Sequence, residues 1–241
     1  MHGIGGGSEN WSSQIRELSN SFHVLAWDMP GYGGSSNLKE EKPNSRLYAE
    51  AVISFLDYLS IERCHIVGQS VAALIATRVA VDYPERIVTL TLSHPLMGLG
   101  GLSEEDRDEQ RANRLNLFNS LGPKRFANEK GSAILAPNTK SQIRVKVLNT
   151  MAKVRPRGFS QAVEMMTQTD LFSLALGINK SVLVIGGEHD PVVSTKSCEL
   201  LIKHFSNARL KIIFGAGHYS AIEKSDEVNS VFLNFFLGNL R

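Results

Sequence analysis

A serine between a predicted strand and a predicted helix has the surroundings of a catalytic nucleophile. The apolar run CHIV (residues 64–67) leads directly into GQSVA (residues 68–72), and an alanine-rich helical pattern follows. Small residues two positions before and after Ser70 permit a sharp turn, which would expose the hydroxyl and direct free helix N–H groups toward it. The second small residue is Ala72, where the usual pattern has glycine. The alternative is that Ser70 only caps the helix.

A serine hydroxyl needs a base to become a nucleophile, and the chain has seven histidines. His218 lies in GAGH (residues 215–218), a flexible turn between the last predicted strand and the last predicted helix. This position places it at the same sheet edge as Ser70, whereas His23 and His65 lie in or beside strands and His204 lies in a helix. His94 directly follows a strand. A lone loop histidine is usually exposed or structural, but the pairing with the Ser70 turn favours a general base.

The base needs an acid that fixes its tautomer and stabilises the imidazolium. Asp190 lies in GGEHDP (residues 186–191), again after a predicted strand. Glu188 is a weaker candidate for the same role, and Asp190 could instead be an ordinary turn residue before proline. An acid after the strand Val88–Leu92 would be another arrangement, but that loop reads SHP and contains none.

Acyl transfer also needs donors for a developing oxyanion. The backbone N–H of Val71, next to the serine, is one candidate. The second is the N–H of Ile4 in HGIGGG (residues 2–7), where glycines let the backbone turn inward. As a nucleotide-binding loop this run is poor, because no Gly-Lys-Ser/Thr ending follows it and no strand precedes it.

Short apolar runs alternate with helical patterns along the chain, which predicts an α/β fold with a mostly parallel sheet. The predicted strands are His23–Trp27, Cys64–Val67, Val88–Leu92, Val182–Ile185 and Arg209–Phe214. The predicted core helices are Glu9–Leu18, Arg46–Leu59, Val71–Val81, Thr195–Phe205 and Ser220–Phe236.

No convincing strand pattern occurs between about residues 96 and 175, which predicts a helical insertion. A first helix would begin at Ser103, with acids in its first turn, and end at Gly122-Pro123. Further helices fit Thr139–Lys153 and Gly158–Thr167. Residues 1–95 and 176–241 would then form the core, and residues 96–175 a cap over the carboxyl ends of the strands.

Composition excludes several classes of protein. The 241 residues are 42% hydrophobic and 21% charged, as in an ordinary globular protein. A net charge of +2 gives no reason to expect nucleic acid or an anionic membrane as partner. Two cysteines form neither a disulfide framework nor a metal-ligand spacing. No signal peptide and no run of roughly 18 apolar residues is visible, so we expect a cytoplasmic protein.

Together the motifs resemble the α/β-hydrolase superfamily over nearly the whole chain. They are HGIGGG, WDMPGYGGSS (27–36), VGQSVAALIA, YPERIVTLTL (83–92), IGGEHDPVV and GAGHYSAIE. Within the superfamily they are similar to capped, cofactor-free serine hydrolases such as 3-oxoadipate enol-lactonases, meta-cleavage-product hydrolases and small carboxylesterases. The resemblance implies a triad of Ser70, Asp190 and His218, a turn-forming role for Asp28, and no cofactor or metal.

The resemblance implies hydrolysis of a small carboxylic ester or lactone through an acyl-enzyme. Relatives such as haloalkane dehalogenases and epoxide hydrolases have an aspartate at the position of Ser70, so alkyl displacement is disfavoured. One alternative is a C–C bond hydrolase or perhydrolase with the same triad. Another is a non-catalytic ligand-binding protein of the same fold.

Residues 111–159 contain eleven basic side chains and one acid, Glu129. A solvated helix face explains most such clusters. Arginines that point into the cleft would instead favour a carboxylate-bearing substrate.

In the family the HG loop follows a central strand, yet only Met1 precedes it here. The absent strand would lie between those predicted at His23 and Cys64. We expect a chain shortened at an internal Met; the alternative is that another segment or subunit fills the gap. The sequence thus predicts about five parallel strands, a gap or abnormal pairing beside the His23 strand, and a poorly held Ile4.

Overall fold

Four parallel strands form the single sheet of the protein, whose structure is a computed structural model that describes residues 1–239. In chain order and in spatial order they are β1 (Cys64–Gln69), β2 (Ile87–Ser93), β3 (Ser181–Gly187) and β4 (Ala208–Ile213). The register pairs Ile66 with Leu90, and Leu90 with Val182. The carboxyl ends of all four strands therefore meet at one edge of the sheet.

Ten α-helices surround the sheet within residues 1–239. They are α1 (Ser12–Leu18), α2 (Ser45–Tyr58), α3 (Ala72–Asp82), α4 (Glu104–Phe126), α5 (Ser141–Met151), α6 (Pro156–Thr167), α7 (Leu171–Ala175), α8 (Thr195–Ile202), α9 (Ser220–Glu223) and α10 (Ser225–Leu237). Short 3-10 helices span Ser8–Trp11 and Pro84–Arg86, and a π-helical turn spans Ala127–Gly131. In this part of the chain no helix is both long and apolar enough to cross a membrane.

The strands are apolar on both faces because a helix layer covers each face. Val182 and Val184 of β3 pack into the cluster formed with α2, α3 and α8, whereas Leu183 and Ile185 pack into the cluster formed with α1 and α10. Successive side chains of a strand point to opposite faces, so both sets are buried. This burial explains the short, continuous apolar runs in the sequence.

The connection between β2 and β3 contains helices α4 to α7 and, among the described residues, no strand of its own. Helix α4 packs on α6, and an isolated bridge joins Gly98 to Asp170. The predicted helix end at Gly122-Pro123 is confirmed. Gly122 has a φ of +66° and a ψ of 167°, which are not helical values, so α4 consists of two helical segments that meet at a kink there, and the second, shorter segment ends at Phe126.

The predicted strand His23–Trp27 is wrong, and so is the expected count of five strands. Residues 23–29 form no regular secondary structure and pair with no strand of the sheet. A cavity of about 360 Å³ separates this segment from β1. Its walls include Leu25, Trp27 and Ile66. A strand needs a hydrogen-bonded neighbour, and at this position the neighbour is replaced by the cavity.

Met1 lies beside the carboxyl end of β1, where the gap ends. Its amino terminus donates to the Val67 carbonyl (2.7 Å), and its carbonyl accepts from the Gln69 N–H (3.1 Å). In a parallel pair of strands, one residue forms hydrogen bonds to residues i and i+2 of the neighbouring strand, and Met1 has this pattern with Val67 and Gln69. The outer edge of β1 is thus paired at its carboxyl end, while the backbone groups of His65 on the same edge face the cavity.

Candidate active site

Ser70 lies on a strained turn between β1 and α3. Its φ is +57°, a left-handed conformation that non-glycine residues seldom adopt. A Cβ on Gly68 would lie 2.3 Å from the Ala72 carbonyl oxygen, so the turn requires glycine there. The structure therefore has the sharp strand-to-helix turn that the sequence predicts, with Ser70 at its apex.

His218 lies within hydrogen-bond distance of Ser70. The imidazole Nε2 is 3.0 Å from the Ser70 hydroxyl oxygen. The backbone of His218 is held by two contacts: its N–H donates to the Ile134 carbonyl (2.8 Å), and its carbonyl accepts from the Gln69 side-chain amide (3.2 Å). The histidine turn after β4 and the serine turn after β1 are therefore directly connected.

Asp190 accepts a hydrogen bond from the other nitrogen of His218, with an Nδ1–Oδ2 distance of 2.9 Å. Its second oxygen, Oδ1, accepts from the backbone N–H groups of Val192 (2.8 Å) and Val193 (3.1 Å). Burial raises the pKa of this carboxyl, but hydrogen bonds from two histidines outweigh burial and hold the pKa well below its usual value. Asp190 is therefore ionised at neutral pH. Glu188, the weaker candidate, instead accepts from the Gly215 N–H (2.8 Å).

His94 also forms a hydrogen bond with Asp190, and the sequence analysis did not identify it as a site residue. Its Nδ1 is 2.8 Å from the same Oδ2 atom, and its Nε2 is 2.7 Å from the Ser220 hydroxyl oxygen. Burial lowers its pKa, although the hydrogen bond to Asp190 opposes this effect. The available signal was its position directly after β2, at the same sheet edge as the other site residues.

The group His94, Asp190 and His218 has the residue types of a metal site, with its ligand atoms within 4.8 Å of one another. Asp190 is an acceptor, so both Nδ1 atoms carry their protons toward it. Both Nε2 atoms face serine hydroxyls. No imidazole lone pair is left for a cation, so the residues do not fit a metal ion without losing these hydrogen bonds.

The HGIGGG loop lies against Ser70, since a Cβ on Gly3 would be 2.9 Å from the Ser70 Cβ. His2 holds the loop: its Nδ1 lies 2.8 Å from the Gly3 carbonyl, and its Nε2 accepts from the Met29 N–H (3.1 Å). Burial lowers the pKa of His2 to about 4. These two hydrogen bonds hold the loop at the residues that precede Ile4. Within residues 1–239 neither Ile4 nor Val71 donates its N–H to another group.

Glu223 joins the helical insertion to the His218 turn. Its carboxylate accepts from the Ala136 N–H (2.8 Å) and the Thr139 hydroxyl (2.6 Å) of the insertion. It also accepts from the N–H groups of Gly217 (3.1 Å) and Tyr219 (3.0 Å). Ser70 is only 3% exposed.

Most of the eleven basic residues between 111 and 157 are solvated or have partners. Arg111 binds Glu164 (2.8 Å), Lys153 binds Glu9 (3.0 Å), and Arg155 donates to the Gly31 carbonyl (2.9 Å). The others with partners are Arg125, Arg144, Lys146 and Arg157, and Lys124, Lys130 and Lys140 are exposed. Arg114 differs: it is half-buried, burial lowers its pKa, and no acceptor lies within hydrogen-bond distance of it among residues 1–239.

Comparison with known proteins gives consistent matches over nearly the whole chain. Residues 1–225 match the family model described as alpha/beta hydrolase fold. The chain is 26% identical to a 2-hydroxy-6-oxononadienedioate/2-hydroxy-6-oxononatrienedioate hydrolase of a Pseudomonas species, covering 98% of the chain and 86% of that protein. It is 22% identical to 3-oxoadipate enol-lactonase 1 of Acinetobacter baylyi, with 93% and 82% covered.

Among solved structures, an esterase from Thermogutta terrifontis matches with a TM-score of 0.90 and 20% identity, covering 100% of the chain and 89% of the esterase. The chain spans only 61% of the length of another curated relative, the dihydrolipoyllysine-residue acetyltransferase component of the acetoin cleaving system of Cupriavidus necator. It is 26% identical to that protein, and the match covers 96% of the chain.

Proposed function

Because the chain belongs to the alpha/beta hydrolase fold family, we propose that it hydrolyses a small carboxylic ester or lactone through an acyl-enzyme. The observation that carries the proposal is the hydrogen-bonded series from the Ser70 hydroxyl through His218 to Asp190. This series supplies a nucleophile, a base and an orienting carboxylate in the order that acyl transfer requires.

In the first step Ser70 attacks the substrate carbonyl and transfers its proton to Nε2 of His218. The new positive charge on the imidazole lies beside the Asp190 carboxylate, which stabilises it. His218 then protonates the leaving alkoxide, and the C–O bond breaks to give an acyl-serine. In the second step His218 removes a proton from water, and the resulting hydroxide attacks the acyl carbon. The bond between this carbon and the Ser70 oxygen then breaks, His218 returns the proton to that oxygen, and the acid is released.

The negative charge on the carbonyl oxygen needs donors in the transition state. We assign this role to the backbone N–H groups of Val71 and Ile4. Both are free of other acceptors in the described chain, and Gly3 holds the second loop against Ser70. Removal of one such donor commonly lowers kcat by roughly 10²–10³-fold.

Residues 96–175 act in this proposal as a cap that closes over the substrate. The contacts of Ile134 and Ala136 with the His218 turn support this role, because they bury the reacting groups. We assign to Arg114, which is half-buried and has no acceptor within hydrogen-bond distance among residues 1–239, the role of binding a carboxylate of the substrate.

A second candidate reaction is hydrolysis of a C–C bond in a vinylogous diketone. The similarity to the Pseudomonas 2-hydroxy-6-oxononadienedioate hydrolase, over 98% of the chain, favours it. The same three residues would serve, but the leaving group would be a carbanion that must be protonated at carbon.

The test combines a covalent probe with a substrate panel. A fluorophosphonate should label Ser70, with loss of fluoride, and should not label Ser70→Ala. Aryl and alkyl esters, lactones and a vinylogous diketone are then compared. Ser70→Ala and His218→Ala should each lose about 10³-fold or more in turnover, and Asp190→Asn somewhat less.

Ser60→Ala is the matched control, because Ser60 is an exposed serine with a similar φ of +56°. It should keep wild-type activity and labelling. Wild-type rates in Ser70→Ala or His218→Ala would overturn the mechanism. Preferred turnover of the diketone would establish the second candidate. A folded protein that neither turns over any substrate nor reacts with the probe would instead be a non-catalytic ligand-binding member of the fold.

A further inference from the structure

Two serine–histidine pairs share one carboxylate oxygen in this protein. His218 and His94 both place Nδ1 against Oδ2 of Asp190, at 2.9 and 2.8 Å. Beyond them, Ser70 and Ser220 face the two Nε2 atoms at 3.0 and 2.7 Å. The site is thus a hydrogen-bonded series with Asp190 at its centre and a serine at each end.

The hydrogen bonds determine the tautomer of His94. The Asp190 carboxylate can only accept, so Nδ1 of His94 carries the proton. Nε2 is then a lone-pair acceptor, and the Ser220 hydroxyl must donate to it. No other group in the described chain lies within hydrogen-bond distance of the Ser220 hydroxyl. Asp190 therefore fixes the tautomer of His94, and the Ser220 hydroxyl occupies the remaining lone pair on Nε2.

Ser220 itself is not a second nucleophile, because it is completely buried, as is His94. A substrate carbonyl cannot reach either residue. We propose that His94 is a positioning residue: through Asp190 it sets the pH at which His218 becomes available as the base. This inference rests on the proposed hydrolase mechanism, in which His218 must be neutral before Ser70 attacks.

The physical reason is the sharing of a single negative charge. Oδ1 is occupied by the amides of Val192 and Val193, so Asp190 is anchored whether or not His94 is present. Oδ2 divides its hydrogen bonding between His94 and His218. Removal of the His94 N–H leaves His218 as the sole partner of Oδ2, which strengthens the attraction for protonated His218. His218 then retains its proton to a higher pH.

Other titratable groups surround His94 and His218, and none of them is substituted in the test. Glu223, on α9, carries a negative charge near His94 and is itself hydrogen-bonded to the insertion. The Tyr219 ring lies 5.8 Å from His218. Cys198 of α8 is buried near Asp190, and Glu188 and His189 precede Asp190 in its loop.

His94 has a φ of +50°, so a substitution here can act through backbone strain as well as through the lost hydrogen bond. His94→Asn and His94→Gly separate these two effects. Asparagine and glycine both tolerate this conformation. In His94→Asn the side-chain amide nitrogen is as many bonds from Cα as Nδ1 is, and can still donate to Asp190. In His94→Gly no donor remains. We would measure kcat/KM as a function of pH with the ester of the panel that is hydrolysed fastest. The quantity compared is the acid limb, the low-pH side on which kcat/KM rises with pH.

We expect the acid limb of His94→Gly to move to higher pH by about one unit, the shift that corresponds to losing one hydrogen bond to a charged group. His94→Asn should keep the wild-type limb, and added imidazole should shift the His94→Gly limb back. A role in packing alone would lower the plateau without moving the limb. An unmoved limb, or one moved to lower pH, overturns the proposal.

His94→Ala keeps the test decisive if His94→Gly does not fold. Alanine also has no donor for Asp190, so the limb should move in the same direction. No movement in His94→Ala would then refute the role of His94. Failure of the hydrolase mechanism would look different, because Ser70→Ala would remain active.

Discussion

Acidification should destabilise the protein through His2, whose imidazole is buried and neutral in the folded state. Its Nε2 accepts the Met29 N–H, and protonation would remove that acceptor. Burial lowers the pKa of His2 from 6.5 to about 4. Between these values the unfolded chain binds a proton that the folded chain does not. Stability is therefore complete above pH 6.5 and falls as the pH is lowered toward 4.

The magnitude follows from these two pKa values. At pH 5 the unfolded imidazole is almost fully protonated, while the folded one is still mostly neutral. Linkage then gives a loss of about 2 kcal/mol in the free energy of unfolding between pH 7 and pH 5 from His2 alone. This is a substantial fraction of the roughly 5–15 kcal/mol that stabilises an ordinary domain. His94, which is also buried, adds to the loss in the same direction.

The assay is urea unfolding at pH 7 and pH 5, followed by tryptophan fluorescence, for the wild type and His2→Gln. Glutamine places an oxygen near the position of Nε2, where it can accept the Met29 N–H without titrating. The difference in unfolding free energy between the two pH values should shrink by about 2 kcal/mol in His2→Gln. His189→Gln, at an exposed imidazole, is the control and should behave as wild type. An equal pH dependence in His2→Gln and wild type would refute the reasoning.

Two further predictions concern the edge of β1 and the substrate. The amides of His65 and Val67 face the cavity, so they should exchange with solvent at least about tenfold faster than that of Ile66, which points to β2; equal rates in a hydrogen-exchange experiment would contradict this pairing. Arg114→Gln should reduce kcat/KM for carboxylate-bearing esters by about tenfold or more relative to neutral esters of equal size, whereas Arg125→Gln, on an exposed side chain, should not. An unchanged preference would remove Arg114 from the site.

The residues of the proposed triad were accessible from sequence because each follows a recognisable apolar run. Ser70, Asp190 and His218 lie after β1, β3 and β4, and the carboxyl ends of parallel strands share one edge. Local pattern and a single topological rule are then enough to bring them together. The family match over residues 1–225 confirms the α/β-hydrolase fold expected from the same motifs.

Local pattern was insufficient where the outcome depended on a distant partner. His23–Trp27 has the pattern of a strand, but it pairs with nothing in the sheet because the neighbouring position is a cavity. The helix end predicted at Gly122-Pro123 is confirmed, because it depends only on the local backbone conformation of Gly122. A strand forms only where a hydrogen-bond partner lies beside it, and the local pattern does not supply that partner.

What the sequence by itself determined is the set of strand-end turns that carry Ser70, Asp190 and His218. Only the tertiary structure decided that His94 and Ser220 complete the site and that Glu223 joins it to the insertion. His94 and Ser220 are 126 positions apart, and nothing in either local segment specifies the other. Short-range patterns report backbone conformation and burial, whereas the sharing of one carboxylate oxygen by two histidines depends on how three strand ends converge in space.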